Sequence, residues 1–214
     1  MAVVVHVEDK ATSRLQELGL QEGWVTRALQ RGDAESRTVS QLAPKGFEGM
    51  TRWGRAAEYF REEVCAQKWT PDDTKNVARS ISPSGELSVV VTTGSKGTGV
   101  ESAEPTTKYT KGIGFVASVV ANAFMLDFDP EFLAATGVRA RPDVPVQTWF
   151  LMFMVERGKL YSEVSLPDAI DEAGVITSWR ERIIIPVIDL GPVVEIGDEE
   201  VGPIDPVNVP VSRR

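Results

Sequence analysis

The segment from Gly94 to Gly112 carries the densest set of groups that could hold a ligand. Gly94, Gly97 and Gly99 let backbone N–H groups converge, Lys96, Lys108 and Lys111 add positive charge, and Ser95, Thr98, Thr106, Thr107 and Thr110 add hydroxyls. Glycine-rich turns and helix N-termini bind phosphate because unpaired N–H groups and the helix dipole point at it. The candidate anion site is therefore Ser95, Lys96, Gly97, Thr98, Gly99, Lys108 and Lys111, and the competing reading, which the poor motif match favours, is a flexible surface loop. No standard nucleotide signature fits. A Walker loop needs Gly-Lys-Ser/Thr leading directly into a helix, and here Gly97 follows Lys96. The dinucleotide pattern fails because Ser102 takes its third glycine position and Pro105 lies close behind.

Other chemistries are narrowed by what the chain lacks. His6 is the one histidine and Cys65 the one cysteine. A Cys/His zinc site within one chain needs about four such ligands and is ruled out. A Ser-His-Asp or Cys-His pair could draw only on His6, with no supporting motif around any serine or around Cys65. His6 reads as a strand histidine and Cys65 as a small core or boundary residue. Among carboxylates, Asp127 and Asp129 alternate around Phe128 and could hold Mg²⁺. The competing reading makes Asp129, before Pro130, the N-cap of a following helix. Asp143 with Glu156 and Lys159 has the residue types of a restriction-type nuclease, but Glu156 and Lys159 flank a turn instead of sharing a strand. The reading is no cofactor, no assigned metal, and a leaning away from catalysis.

Two patterns could contact nucleic acid. Ala28 and Gly32 resemble the first half of a helix-turn-helix, with Val39 and Leu42 as second-helix core and Ser36, Arg37, Thr38 and Ser40 reading bases. The step from Gly32 to Val39 is one residue too long, and two short helices joined at a glycine explain the same letters. Trp53 beside Arg52, Arg55 and Arg61 has a basic-aromatic mix, diluted by Glu58, Glu62 and Glu63.

The net charge is −8 over 214 residues, and residues 161–214 hold 11 acidic against 4 basic side chains. No global basic field draws nucleic acid or anionic membrane to the chain. The most apolar run, Val146 to Val155, is about half a bilayer-spanning helix. With one cysteine and a start too short in apolar residues for a signal peptide, the expected location is the cytoplasm.

These groups must be positioned by the surrounding elements. Residues 8–80 read as helical: one helix through Leu15 and Leu18 ending near Gly19, a second through Trp24 and Ala28 closed by Gly32, and a third over Glu48 to Lys68. In the third, Met50, Trp53, Ala57, Phe60 and Val64 fall on one stripe. A fourth is expected from Thr70 toward Ser80. After the turn at Ser82 to Gly85 the pattern becomes β-branched, and Leu87 to Thr93 reads as a buried strand. The Ala- and Val-rich run from Ile113 to Leu126 reads as a buried helix. Val146 to Val155 and Leu160 to Leu166 read as a hairpin whose first arm is covered on both faces. Pro167 to Ala173 reads as a helical turn, and Arg182 to Ile188 as a strand that, by Pro186, lies at an edge or leaves the sheet there.

The expected fold is α+β: an N-terminal helical layer (8–80) on a mostly antiparallel sheet (86–190), one domain over 1–190. An extended, Pro-rich, acidic arm follows over 191–214. The leading expectation for function is a non-enzymatic interaction or accessory protein with a protein partner and no membrane contact. The alternatives are an anion, nucleotide or nucleic-acid binding protein using the 94–112 loop, and a carboxylate-dependent metal enzyme.

Overall fold

A computed structural model describes residues 3–127 and 147–191. In chain order the elements are β1 (Val4–His6), α1 (Glu8–Glu17), α2 (Glu22–Ser36), α3 (Phe47–Cys65), β2 (Thr70–Asp72), β3 (Arg79–Ile81), β4 (Leu87–Thr93), α4 (Ile113–Asp127), β5 (Gln147–Glu156), β6 (Lys159–Ile170) and β7 (Ile176–Asp189). The strands make one sheet in the order β1-β7-β6-β5-β4-β3-β2. β1 runs parallel to β7 and β4 parallel to β5; the other neighbours are antiparallel. The fold is α+β, with its helices gathered toward the N-terminus.

Strand side chains alternate between faces with period two, and both faces of the central strands are apolar. Val89, Val91, Trp149, Leu151 and Phe153 face the layer of α1, α2 and α3, where Leu15, Leu29, Phe60 and Val64 meet them. Val90, Phe150 and Met152 face the other way, against Val119, Ile176 and Trp179. Phe115 stacks on Phe150 at 5.8 Å. Burying side chains of this size stabilises by about 1.5–3 kcal/mol each. β5 is thus covered on both faces, as its unbroken apolar run implies.

Helix α4 links the parallel pair β4 and β5 and is fastened to the start of β5. The buried Asn122 accepts the Thr148 N–H at 2.7 Å and donates to the Thr148 carbonyl at 2.9 Å. Pairing of β5 with β6 starts only at Phe150, so this side chain satisfies strand backbone that has no ladder neighbour on the β6 side. No helix among the described residues is long and apolar enough to cross a membrane.

Several local expectations are corrected. α2 does not stop at Gly32 but continues to Ser36. Gly32 instead lies where α3 crosses, and a Cβ there would come within 2.7 Å of the Ala56 nitrogen. The stretch after Arg37 is not helical, Ser36 is fully buried, and Arg37 pairs with Asp33 at 2.7 Å. The helix-turn-helix reading therefore fails, because its turn glycine is a helix–helix contact. The expected helix over residues 70–80 is instead β2, a 3₁₀ turn (Thr74–Asn76) and β3. β2 is the outermost strand, where the missing N–H of Pro71 is tolerated.

Pro167 to Ala173 does not form a helical turn, since β6 continues to Ile170. Pro186 does lie at an open edge, because β1 pairs with β7 only up to Ile183, and it sits at a bulge where Leu160 pairs with Ile188 but Ser162 with Ile185. A bulge is another place where a strand accommodates proline. Cys65 is exposed instead of lying at the core. His6 does sit in a strand, with Nε2 3.0 Å from Glu181. Asp127 ends α4, whereas Asp129, Asp143 and the arm beyond Gly191 lie outside the described residues.

Candidate ligand-binding cleft

Parallel strands β4 and β5 end on the same side of the sheet, and a cleft of about 1270 Å³ opens there. Clefts beyond the carboxyl ends of parallel strands are the usual ligand sites of sheets with helical crossovers. The shortness of β3 creates this one. β3 pairs with β4 only over Ser88 to Val90, so the last β4 residues, paired with β5 on one side, have no strand on the other. The Trp53 indole N–H donates to the Val91 carbonyl at 2.9 Å, and the Lys108 N–H to the Thr93 carbonyl at 2.9 Å. α3 and the end of the 94–112 segment are thereby held on either side of the cleft.

The long segment is tightly tied. Gly94 bridges to Thr107. The Ser95 N–H donates to the Thr106 carbonyl at 2.7 Å, while the Thr106 N–H returns a bond to Ser95 Oγ at 2.9 Å. Thr98 is fully buried and donates its hydroxyl to the Ser95 carbonyl at 2.7 Å. Gly99 adopts φ +71° and lies so close to β6 that a Cβ would come within 2.9 Å of the Ser162 nitrogen. Its N–H donates to Glu163 Oε2 at 2.8 Å.

Of the seven residues predicted as an anion site, the structure brings four to the cleft: Ser95, Lys96, Lys108 and Lys111. Gly97, Thr98 and Gly99 do not line it. The N–H groups of Ser95, Thr98 and Gly99 are spent inside the fold.

The three lysines also differ in setting. Lys96 and Lys108 are exposed, and Lys108 Nζ lies 5.5 Å from the centre of the Tyr109 ring. Lys111 is drawn inward, and its backbone N–H donates to the Gly174 carbonyl at 2.7 Å. Its ammonium donates to the Thr92 hydroxyl at 2.6 Å and lies 5.1 Å from the centre of the Phe115 ring. Among the described residues no carboxylate pairs with it, and loss of hydration on burial lowers its pKa to about 8.

Three side chains of α3's first turns, Phe47, Met50 and Trp53, form the opposite wall and are 46, 64 and 40 % exposed. The expected core stripe of α3 is thus correct only in its second half, where Phe60 and Val64 are buried. Arg52 is neutralised by Asp33 at 2.9 Å and by Glu48, so its charge is spent. Asn76 lines the cleft with φ +59°, directly after Lys75 at φ +58°. Two such residues in succession store strain of a kind found near functional sites.

Sequence reasoning missed Thr92, Phe115 and Asn76. Thr92 reads as one more β-branched strand residue, and only its place at the end of β4 next to a lysine-bearing loop could have marked it. Among the described residues, no group of three His, Cys, Asp or Glu side chains could hold a metal ion. No protein-family model, curated protein or solved structure matches the chain.

Proposed function

We propose that this chain is a non-enzymatic binding protein whose cleft takes a ligand combining an anionic group with a flat apolar one. The observation that carries this reading is the setting of Lys111, a withdrawn ammonium balanced, among the described residues, by the Thr92 hydroxyl and the Phe115 ring. Taking a charge out of water is costly unless it is paired, and a bound anion supplies the pairing. Lys96 and Lys108 add attraction at the rim, and Phe47, Tyr109 and Phe115 offer ring faces. The role fits an accessory protein of the cytoplasm, where the exposed Cys65 thiol stays reduced.

Calorimetry and melting curves with ATP, inorganic pyrophosphate and short oligonucleotides test the reading. Binding should weaken with salt, raise the melting temperature, and vanish when Lys96, Lys108 and Lys111 are all changed to Ala. A wild-type protein showing no salt-sensitive binding to any of them sinks it.

A protein partner is the second reading, favoured by exposed apolar side chains before and along the start of α3: Leu42 at 96 % and Met50 at 64 %. Such a patch marks interaction surfaces. If it is one, Leu42→Asp with Met50→Asp should abolish an association that the three lysine changes leave intact.

A further inference from the structure

A lysine, not an arginine, is drawn into the wall of the cleft beneath Thr92 and Phe115. For permanent anion binding arginine is the better residue, because its planar fork grips two oxygens and never loses its charge. This chain places arginines where a buried cation meets a carboxylate, Arg182 with the enclosed Glu163 and Arg79 with the partly exposed Asp72. At Lys111 it places a primary amine with a single hydroxyl acceptor, an aromatic ring beside it and no described carboxylate. The backbone there is fixed by Gly174 at φ +79°, where a Cβ would press on the Lys111 backbone. A desolvated lysine without a carboxylate is the usual setting of an amine nucleophile.

Resting on the anion reading of the cleft, we propose that Lys111 captures the carbonyl carbon of an anionic aromatic aldehyde as a reversible imine. The neutral Nζ lone pair attacks the carbonyl carbon, the carbonyl π pair moves to oxygen, and one of the two Nζ protons passes by way of solvent to that oxygen. The carbinolamine then loses its hydroxyl together with the remaining Nζ proton as water, and the nitrogen lone pair forms the C=N bond. Nothing is oxidised or reduced. The ligand's anionic group falls to Lys96 and Lys108, and its ring to the faces of Tyr109 and Phe115. The hydroxyl of Thr92 holds Nζ in place while the amine is free. With a pKa of about 8, the neutral fraction near pH 7.5 is roughly two orders of magnitude above that of an exposed lysine.

The test uses the full chain and pyridoxal 5′-phosphate, an aromatic aldehyde with a phosphate, followed by borohydride reduction and peptide mass mapping from pH 6 to 10. Lys111 should be labelled at least tenfold ahead of the exposed Lys10, Lys45 and Lys159, with half-maximal labelling near pH 8. Excess inorganic pyrophosphate should protect it, and this holds whether or not the Lys111→Arg variant folds. Lys111→Arg should lose the imine absorbance and the label. Label spread evenly over exposed lysines, or reaching Lys111 only above pH 10, overturns the proposal. If wild-type protein binds pyrophosphate in calorimetry yet Lys111 gains no label, imine capture fails alone. If neither occurs, the anion reading falls with it.

Discussion

Arg182 on β7 and Glu163 on β6 form a fully enclosed ion pair, Nη2 to Oε2 at 2.5 Å, that clamps the long loop to the sheet. The Arg182 guanidinium also donates to the carbonyls of Val100 and Ala103, and Glu163 accepts the Gly99 N–H and the Ser165 hydroxyl. Each guanidinium nitrogen and each carboxylate oxygen has a partner, as a buried pair requires if it is to offset its desolvation. The clamp fastens the loop at Gly99, Val100 and Ala103, shortly after Ser95 and Lys96.

Removing one partner should be far worse than removing both. Arg182→Met leaves the Glu163 charge buried and should destabilise by about 3–5 kcal/mol. The double change Arg182→Met with Glu163→Met should recover a large part of that loss. Urea titrations of the four proteins measure it, and equal single and double losses would show that the pair is not coupled.

At the crossing of α2 and α3, Gly32→Val should force the helices apart. Overpacking of this kind costs about 1–3 kcal/mol, while Gly49→Ala, where a Cβ meets nothing within 4 Å, should be neutral or slightly stabilising. Thermal melts of the two variants side by side decide the matter; equal melting temperatures would mean that Ala56 does not touch α2 in solution.

Phe150 is fully buried between Phe115 and Trp179. Phe150→Asp should cost several kcal/mol by burying an unpaired charge in a central strand. Soluble, cooperatively unfolding mutant protein would contradict the placement of β5.

Lys111 should leave a signature in the pH dependence of stability. Its pKa falls from the ordinary lysine value to about 8 in the folded state, so between about pH 8 and the unfolded value of about 10.4 the unfolded chain binds more protons. Stability from this group therefore rises with pH across that window, and below it the full desolvation cost is present. Lys111→Met should accordingly be more stable than wild type at pH 7, with the gap closing by pH 10. A gap independent of pH, read by paired urea titrations, would mean that the ammonium is solvated.

Periodicity and composition determined much of this molecule by themselves. The apolar run of β5 requires cover on both faces, β6 alternates, the stripe through Phe60 and Val64 buries α3, and the small apolar residues of α4 suit a helix packed on a strand. Each signal lives within a few neighbouring residues, where side-chain direction follows from backbone geometry alone. What only the tertiary structure decided depends on partners distant in sequence. Gly32 ends nothing because Ala56 lies across from it, and Pro186 is tolerated because β1 stops at Ile183 and a bulge opens opposite Leu160 and Ser162. Residues 70–81 pair as strands because the edge of β4 is there to receive them. The candidate site divides in the same way. The residue types of the 94–112 loop announce an affinity for anions, but the sequence treats Lys96, Lys108 and Lys111 as equals. Thr92, Phe115 and Gly174 set Lys111 apart by withdrawing it from water, and hydration is a property of the folded surroundings.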